Sequence, residues 1–347
     1  MKIDRQDLFI SGTGHYHTYR IPALLATPQG TLLAFCEGRK ERSGDSGWID
    51  LLVRRSTDGG ETWQAQQVIH QDPPFTIGNP SPVYDRETGA IHLVFCRNNN
   101  QVFVTESSDQ GQNWKPPREI TAMVKRPNWG WYATGPVHGI QLRSGRLLIP
   151  CDHRAFDTLE GKMDWVREAE QGHARGGIGP PSCSHVIYSE DHGDTWKVGG
   201  VLAPHTNECV VLELDDGSLY LNMRNTLGRK CRAWAKSIDG GLSWSDVKLD
   251  ETLIEPVCQG SLIGSTDFAI FANPASTERE KLTLRLSDDG CRTWPKSRVL
   301  HPGPAAYSDL CIDAQGRIHC LFECGENHRR EKITLARIDR EWLEQDG

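Results

Sequence analysis

The chain has 347 residues, enough to bury a large core, and a formal net charge of −7 with no block of like charge. That pattern excludes a phosphate-tracking nucleic-acid surface and a polybasic membrane patch, so any anionic ligand has to be gripped locally. With 34 glycines, 19 prolines and 11 tryptophans among short aliphatic runs, it predicts many short strands and turns, an all-β protein.

The N-terminal residues carry no apolar core of signal-peptide length, and no later run approaches the roughly 18 apolar residues of a membrane span. As it stands, the sequence reads as soluble and cytoplasmic, with a secreted or periplasmic address if a leader has been trimmed. A strand around 7–10 is expected to pair with a C-terminal strand and close the fold. Next, Tyr19-Arg20-Ile21-Pro22 opens a hairpin that runs to Glu37-Gly38-Arg39. Arg20 and Arg39 sit where strands meet loops, the places at which a β scaffold presents chemistry. Further strands are predicted at 51–53, 91–95, 139–150, 210–214, 218–223, 281–286, 318–322 and 332–338. The segment between Arg154 and Ser182 interrupts this pattern and predicts a long inserted loop with a helical turn over one face. The eleven cysteines are odd in number and lack paired spacing, which predicts buried, reduced thiols.

One eight-residue pattern, S-x-D-x-G-x-x-W, recurs at 56–63, 107–114, 189–196 and 237–244. A fifth copy, 287–294, has Cys291 in place of the later glycine, which points to a differently shaped turn. The aspartate bonds amides further on, glycine supplies positive φ and tryptophan covers the turn, so the box staples a hairpin. It lacks the later glutamate and full ligand series of a calcium loop. Successive boxes start 51, 82, 48 and 50 residues apart, giving a unit of about 50 residues with several strands, the size of a propeller blade. The length then predicts a single six-bladed β-propeller domain over 1–347, with five recognisable boxes and the insertion near 154–182 inside the long gap.

Tyr-Arg-Ile-Pro followed by several Asp boxes resembles the exo-α-sialidases (neuraminidases) of the bacterial and animal cytosolic type, over nearly the whole chain. The resemblance implies three arginines holding a substrate carboxylate: Arg20, Arg224 in Asn222-Met223-Arg224-Asn225, and Arg279, with Arg285 a nearby rival. Planar guanidinium forks suit that task in a way lysine does not. It also implies Tyr307, in Tyr307-Ser308-Asp309-Leu310, as nucleophile, and Glu208 as the base that activates it. Asp45, in a glycine-rich polar loop expected to close and raise its pKa, is the implied general acid, and Asp50 is its competitor. Glu37 and Arg39 resemble the pair near the ring hydroxyls. Asn79, in Asn79-Pro80-Ser81-Pro82, borders the N-acyl pocket or belongs to a proline-stiffened turn. Trp129 and Trp131 stack on sugar or pack a blade edge. Where animal relatives carry tyrosines, this chain has Cys151-Asp152-His153-Arg154.

The implied activity is hydrolysis of terminal sialic acids from glycans, glycoproteins or glycolipids, with retention and without metal or organic cofactor. The alternatives are a glycosidase for a deaminated nonulosonic or eight-carbon keto-acid sugar, a trans-sialidase, and a non-catalytic glycan-binding propeller.

Overall fold

The computed structural model describes residues 3–157, 162–163, 180–265 and 267–344. After β1 (Asp4–Ile10), the chain forms successive antiparallel sheets in which strands adjacent in sequence pair in space. The first is β2 (Thr18–Ala26), β3 (Leu32–Arg39), β4 (Ile49–Ser56) and β5 (Gln67–His70). The second is β6 (Ile77–Tyr84), β7 (Ile91–Arg97), β8 (Gln101–Ser107) and β9 (Arg118–Glu119). In the third, β10 (Trp129–Thr134) and the short β11 (Ile140–Gln141) both pair with β12 (Leu147–Ala155), followed by β13 (Ser182–Ser189) and β14 (Lys197–Val201). The fourth is β15 (Thr206–Glu213), β16 (Leu219–Asn225), β17 (Cys231–Ser237) and β18 (Lys248–Ile254).

The remaining strands are β19 (Ser261–Ser265), β20 (Phe268–Pro274), β21 (Glu280–Ser287), the 17-residue β22 (Lys296–Ile312), β23 (Ile318–Cys324) and β24 (Lys332–Ile338). They join β1 in one seven-stranded sheet. Its β22 pairs with β21 through the segment before Ala305 and with β23 from Ala305 onward. β1 runs antiparallel to β24, Asp4 opposite Arg337 and Ile10 opposite Lys332, so the two ends of the chain are tied together as the sequence predicts.

The arrangement is propeller-like, with apolar layers between neighbouring sheets. One such layer interleaves Ala23, Leu25 and Phe35 of the first sheet with Ile77, Ile91 and Phe95 of the second. β-branched and aromatic residues suit this pleated, double-faced burial. All eleven cysteines are buried and unpaired.

Each box follows the strand ending in its serine, and the five turns share one bonding scheme. Ser189 Oγ donates to Asp191 (2.8 Å) and accepts from the Gly193 amide (2.8 Å), while the Thr195 amide donates to Asp191 (2.8 Å). The fifth box departs from expectation. Cys291 adopts the same left-handed conformation (φ 62°), and its amide still donates to Ser287 Oγ at 3.1 Å. The serine–aspartate bonds hold the turn in shape without the glycine, and the strain is accepted locally. The insertion leaves the end of β12 and rejoins at β13; most of it lies outside the described residues, and of the predicted helical turn only Lys162 and Met163 are described, both helical.

Candidate active site

The site is built by a repeated irregularity. Five strands slip by one residue against their partners, between Arg20 and Ala23, Gly78 and Ser81, Trp129 and Tyr132, Thr206 and Cys209, and Ala305 and Ser308. Such a bulge breaks the in–out alternation and re-aims a side chain. The slips carry Ile21, Asn79, Trp131, Asn207, Glu208 and Tyr307, and all six line one cavity of about 280 Å³.

Two bulges place a non-glycine residue at positive φ, Ile21 at 58° and Asn79 at 56°. For a β-branched residue this is a costly conformation that its surroundings must hold. Glu323 accepts from the Ile21 amide (2.9 Å), and Glu37 accepts from the Asn79 amide (3.0 Å). Behind the cavity, the buried Asp309 carboxylate accepts from the Leu24 amide (2.8 Å), the His138 amide (3.0 Å) and His138 Nδ1 (2.8 Å). This hub ties β2, the loop after β10 and β22 into one frame.

On one wall, Tyr307 donates a short hydrogen bond to Glu208 Oε1. Arg224 Nη1 donates to Glu208 Oε2 (2.8 Å) and to the Tyr307 oxygen (3.3 Å). Burial, and then the Glu208 charge, push the phenol's pKa above 10, against the pull of Arg224, Arg279 and Arg20. The phenol is therefore neutral at rest and hydrogen-bonded to a base. The guanidinium carbons of Arg20 and Arg279 lie 4.9 and 5.6 Å from the Tyr307 ring centroid.

Across the cavity, Arg20 donates from Nε and Nη2 to the two oxygens of Glu323 (3.0 and 3.2 Å) and from Nη1 to Asp45 (3.2 Å). Arg39 donates to Asp45 (2.7 Å) and to Glu37 (2.6 and 3.0 Å). The Asp45 side chain is 58% exposed. Burial beneath the rim works to raise its pKa, but Arg39 and Arg20 outweigh this and hold it below the usual carboxylate range. The sequence-based expectation of a raised pKa is corrected here: a loop that sets an acid against two guanidiniums favours its charged form.

Of the residues singled out from sequence, Arg20, Glu37, Arg39, Asp45, Asn79, Glu208, Arg224 and Tyr307 line the cavity together. Arg279 stands beside Tyr307, its Nη2 donating to the Val257 carbonyl at 3.0 Å. Its rival Arg285 is buried and donates to Asn273 (2.8 Å). Asp50 is structural: fully buried, it accepts from Tyr16 (2.7 Å) and Trp48 (2.9 Å) and pairs with Lys40 (3.1 Å). Trp129 is not brought to the cavity. It is buried against His153, ring centroids 3.4 Å apart, and the bulge between it and Tyr132 brings Trp131 to the wall instead.

Sequence reasoning missed Glu323, whose only signal is a carboxylate among the apolar residues of the fully buried strand β23. It also assigned no role to Asp152, although it marked the strip containing it. Asp152 is 1% exposed; Asn207 Nδ2 donates to its Oδ2 (2.9 Å), and its Oδ1 has no partner among the described residues. Burial, and then the neighbouring Glu208 charge, push its pKa up to about 8.

Residues 30–320 match the BNR repeat-like domain family. The chain is 33% identical over 365 residues to a sialidase of Micromonospora viridifaciens, an alignment covering 95% of this chain and 54% of that protein. It therefore spans about half of that relative's length. Against sialidase-3 of Rattus norvegicus the identity is 30%, covering 96% of this chain and 93% of the other. The solved Hadza microbial sialidase Hz136 superposes with a TM-score of 0.84 at 28% identity, over 98% of this chain and 69% of that one. Trypanosoma rangeli sialidase, at 18% identity and a TM-score of 0.77 over 99% of this chain and 60% of that one, shares the fold. With the family match covering most of its length and sialidases aligned end to end along it, the chain belongs to the sialidase family of BNR-repeat proteins.

Proposed function

We propose that the chain is a retaining exo-α-sialidase acting on sialylated glycans. The observation that carries this reading is the Tyr307–Glu208–Arg224 network facing Arg20 and Asp45 across one cavity. The substrate carboxylate is bound by Arg20, Arg224 and Arg279. Glycosidases ordinarily use two carboxylates, sialidases with a tyrosine nucleophile being an exception. An anomeric carbon bearing a carboxylate repels an anionic nucleophile, whereas a neutral phenol approaches freely.

In the first step the Tyr307 oxygen bonds to the anomeric carbon and its proton passes to Glu208. The bond to the leaving oxygen breaks, and that oxygen takes the Asp45 proton. In the second, Asp45 removes a proton from water, whose oxygen bonds to the anomeric carbon; the Tyr307 oxygen departs and recovers its proton from Glu208. Asp45 is ionised at rest, so it has to take up a proton from solvent as the substrate binds. Its carboxylate competes for Arg20, replacing a cation beside Asp45 by an anion-loaded one, which raises the pKa of Asp45 on binding.

We also infer one domain of six blades. β22 serves two sheets in turn, dividing the seven-stranded sheet into two leaves of four strands. The last leaf lacks a box because its outer strand, β1, comes from the other end of the chain. The test of the reaction is proton NMR of sialyllactose during hydrolysis. The α-anomer of the released acid sugar is expected first, relaxing later to β, and initial β product would refute the double displacement.

A further inference from the structure

Four of the carboxylates around the cavity are matched to arginines: Glu323 and Asp45 to Arg20, Glu37 and again Asp45 to Arg39, and Glu208 to Arg224, while burial keeps the fifth, Asp152, protonated up to about pH 8. Three nearby arginines, Arg279, Arg329 and Arg330, have no carboxylate partner among the described residues. In a chain whose net charge is −7, this face concentrates uncompensated positive charge. Arg329 and Arg330 lie in the loop between β23 and β24, half-buried, and the Nε of each is buried without a hydrogen-bond partner.

The loop is rigidly built. The Glu331 carboxylate accepts from the amides of Glu326, Asn327 and His328 (2.9, 3.0 and 2.8 Å), so its charge is engaged within the loop. The Ser11 amide donates to the Glu331 carbonyl (2.9 Å), and Ser11 Oγ donates to the Arg330 carbonyl (2.8 Å). Arg330 Nη1 donates to the Ser43 carbonyl and hydroxyl (3.2 and 3.1 Å), reaching the loop that carries Asp45. Burial, reinforced by Arg279 and Arg20, lowers the pKa of Arg329 against the pull of Glu323, and burial and Arg20 bring Arg330 down to about 10 against the pull of Glu323 and Asp45. A fixed loop that crowds guanidiniums together raises the energy of the empty site, and a bound anion relieves it.

We propose that Arg329 and Arg330 form a second anion subsite on the leaving-group side of the cavity, selecting substrates whose leaving sugar carries its own carboxylate or sulfate. This rests on the proposed function, because Asp45 and its loop locate the leaving group. One substrate carboxylate satisfies the clamp of Arg20, Arg224 and Arg279 and leaves the two loop arginines for a second anion. The occupants that fit are a second acid sugar or a sulfated sugar.

The experiment compares kcat/KM for sialyllactose, disialyllactose and a sialoside of sulfated galactose, in the parent protein and in Arg329→Gln, with thermal unfolding as a check on folding. The anionic leaving groups are expected to be preferred about five- to tenfold at low salt, and the preference to collapse in Arg329→Gln and in 0.5 M salt. A gain with only one anion identifies which source the subsite reads. A preference ratio unchanged by Arg329→Gln overturns the inference. In parallel, calorimetric titration of mono- and disialyllactose into Tyr307→Phe, with and without Arg329→Gln, reads the subsite without turnover. If the parent hydrolyses nothing, the proposed function fails and this binding ratio alone decides: a drop with Arg329→Gln supports the subsite, and no drop refutes it.

Discussion

Asp152→Asn tests whether the cavity holds a proton-bearing carboxyl beside Glu208. The substitution keeps the shape and an acceptor for Asn207 Nδ2, and removes the titration. Asp152 is 1% exposed, and its pKa moves from the usual 3.8 to about 8, first through burial and then through the Glu208 charge. Between those values the unfolded chain has lost this proton and the folded chain keeps it. The folded state binds more protons, so stability falls as pH rises, by about 1.4 kcal/mol per pH unit. The full effect above pH 8 is about 6 kcal/mol, an upper bound for a buried acid. A 347-residue chain unfolds with an entropy of about 0.7 kcal/mol/K, so each pH unit corresponds to roughly 2 °C in Tm. Scanning calorimetry from pH 5 to 7.5 is therefore expected to show Asp152→Asn gaining about 5 °C on the parent across that window. Parallel Tm curves for the two proteins would refute the assignment of a raised pKa to this group.

Other perturbations separate the roles around the cavity. Arg20→Met leaves the fully buried Glu323 carboxylate without its guanidinium, and urea unfolding is expected to show a loss of about 3–5 kcal/mol. A loss below 1 kcal/mol would mean that water or another cation already serves Glu323. Asp45→Ala is expected to lower kcat/KM on sialyllactose by about two orders of magnitude. With an activated aryl sialoside, whose leaving group needs no proton, the loss should be several-fold smaller; equal losses on both substrates would remove Asp45 as the acid. Ser189→Ala breaks the three hydrogen bonds that the buried hydroxyl makes in its box and should cost about 1–2 kcal/mol in urea unfolding. No change would show that backbone and tryptophan hold the turn alone.

The repeat was legible because a box is local. Serine, aspartate, glycine and tryptophan act within eight residues, so their spacing alone places the hairpins and the unit length. What the spacing left open was the fifth turn, where Cys291 occupies a glycine conformation because the bond from its amide to Ser287, itself held by Asp289, prevails over its own preference. The bulges were not legible, since a register slip is a relation between two strands and neither sequence carries it. That is why Trp129 and Trp131 looked equivalent: simple alternation puts residues two apart on one face, and the slip between Trp129 and Tyr132 separates them. Glu323 was hidden for a similar reason, its partners being Arg20 and the Ile21 amide at the far end of the chain. Arg20, Arg224, Glu208 and Tyr307 were found through resemblance to a family, and their joint placement in one cavity is a property of the fold.

The central claim is that Tyr307 forms a covalent bond to the anomeric carbon. The most direct measurement is mass spectrometry of the protein after brief treatment with a 2,3-difluoro sialic acid, whose second fluorine slows breakdown of a glycosyl intermediate. The account predicts one added glycosyl unit on the proteolytic peptide that contains Tyr307, absent from Tyr307→Phe. Labelling of another residue, or turnover of sialyllactose that survives in Tyr307→Phe, would contradict it.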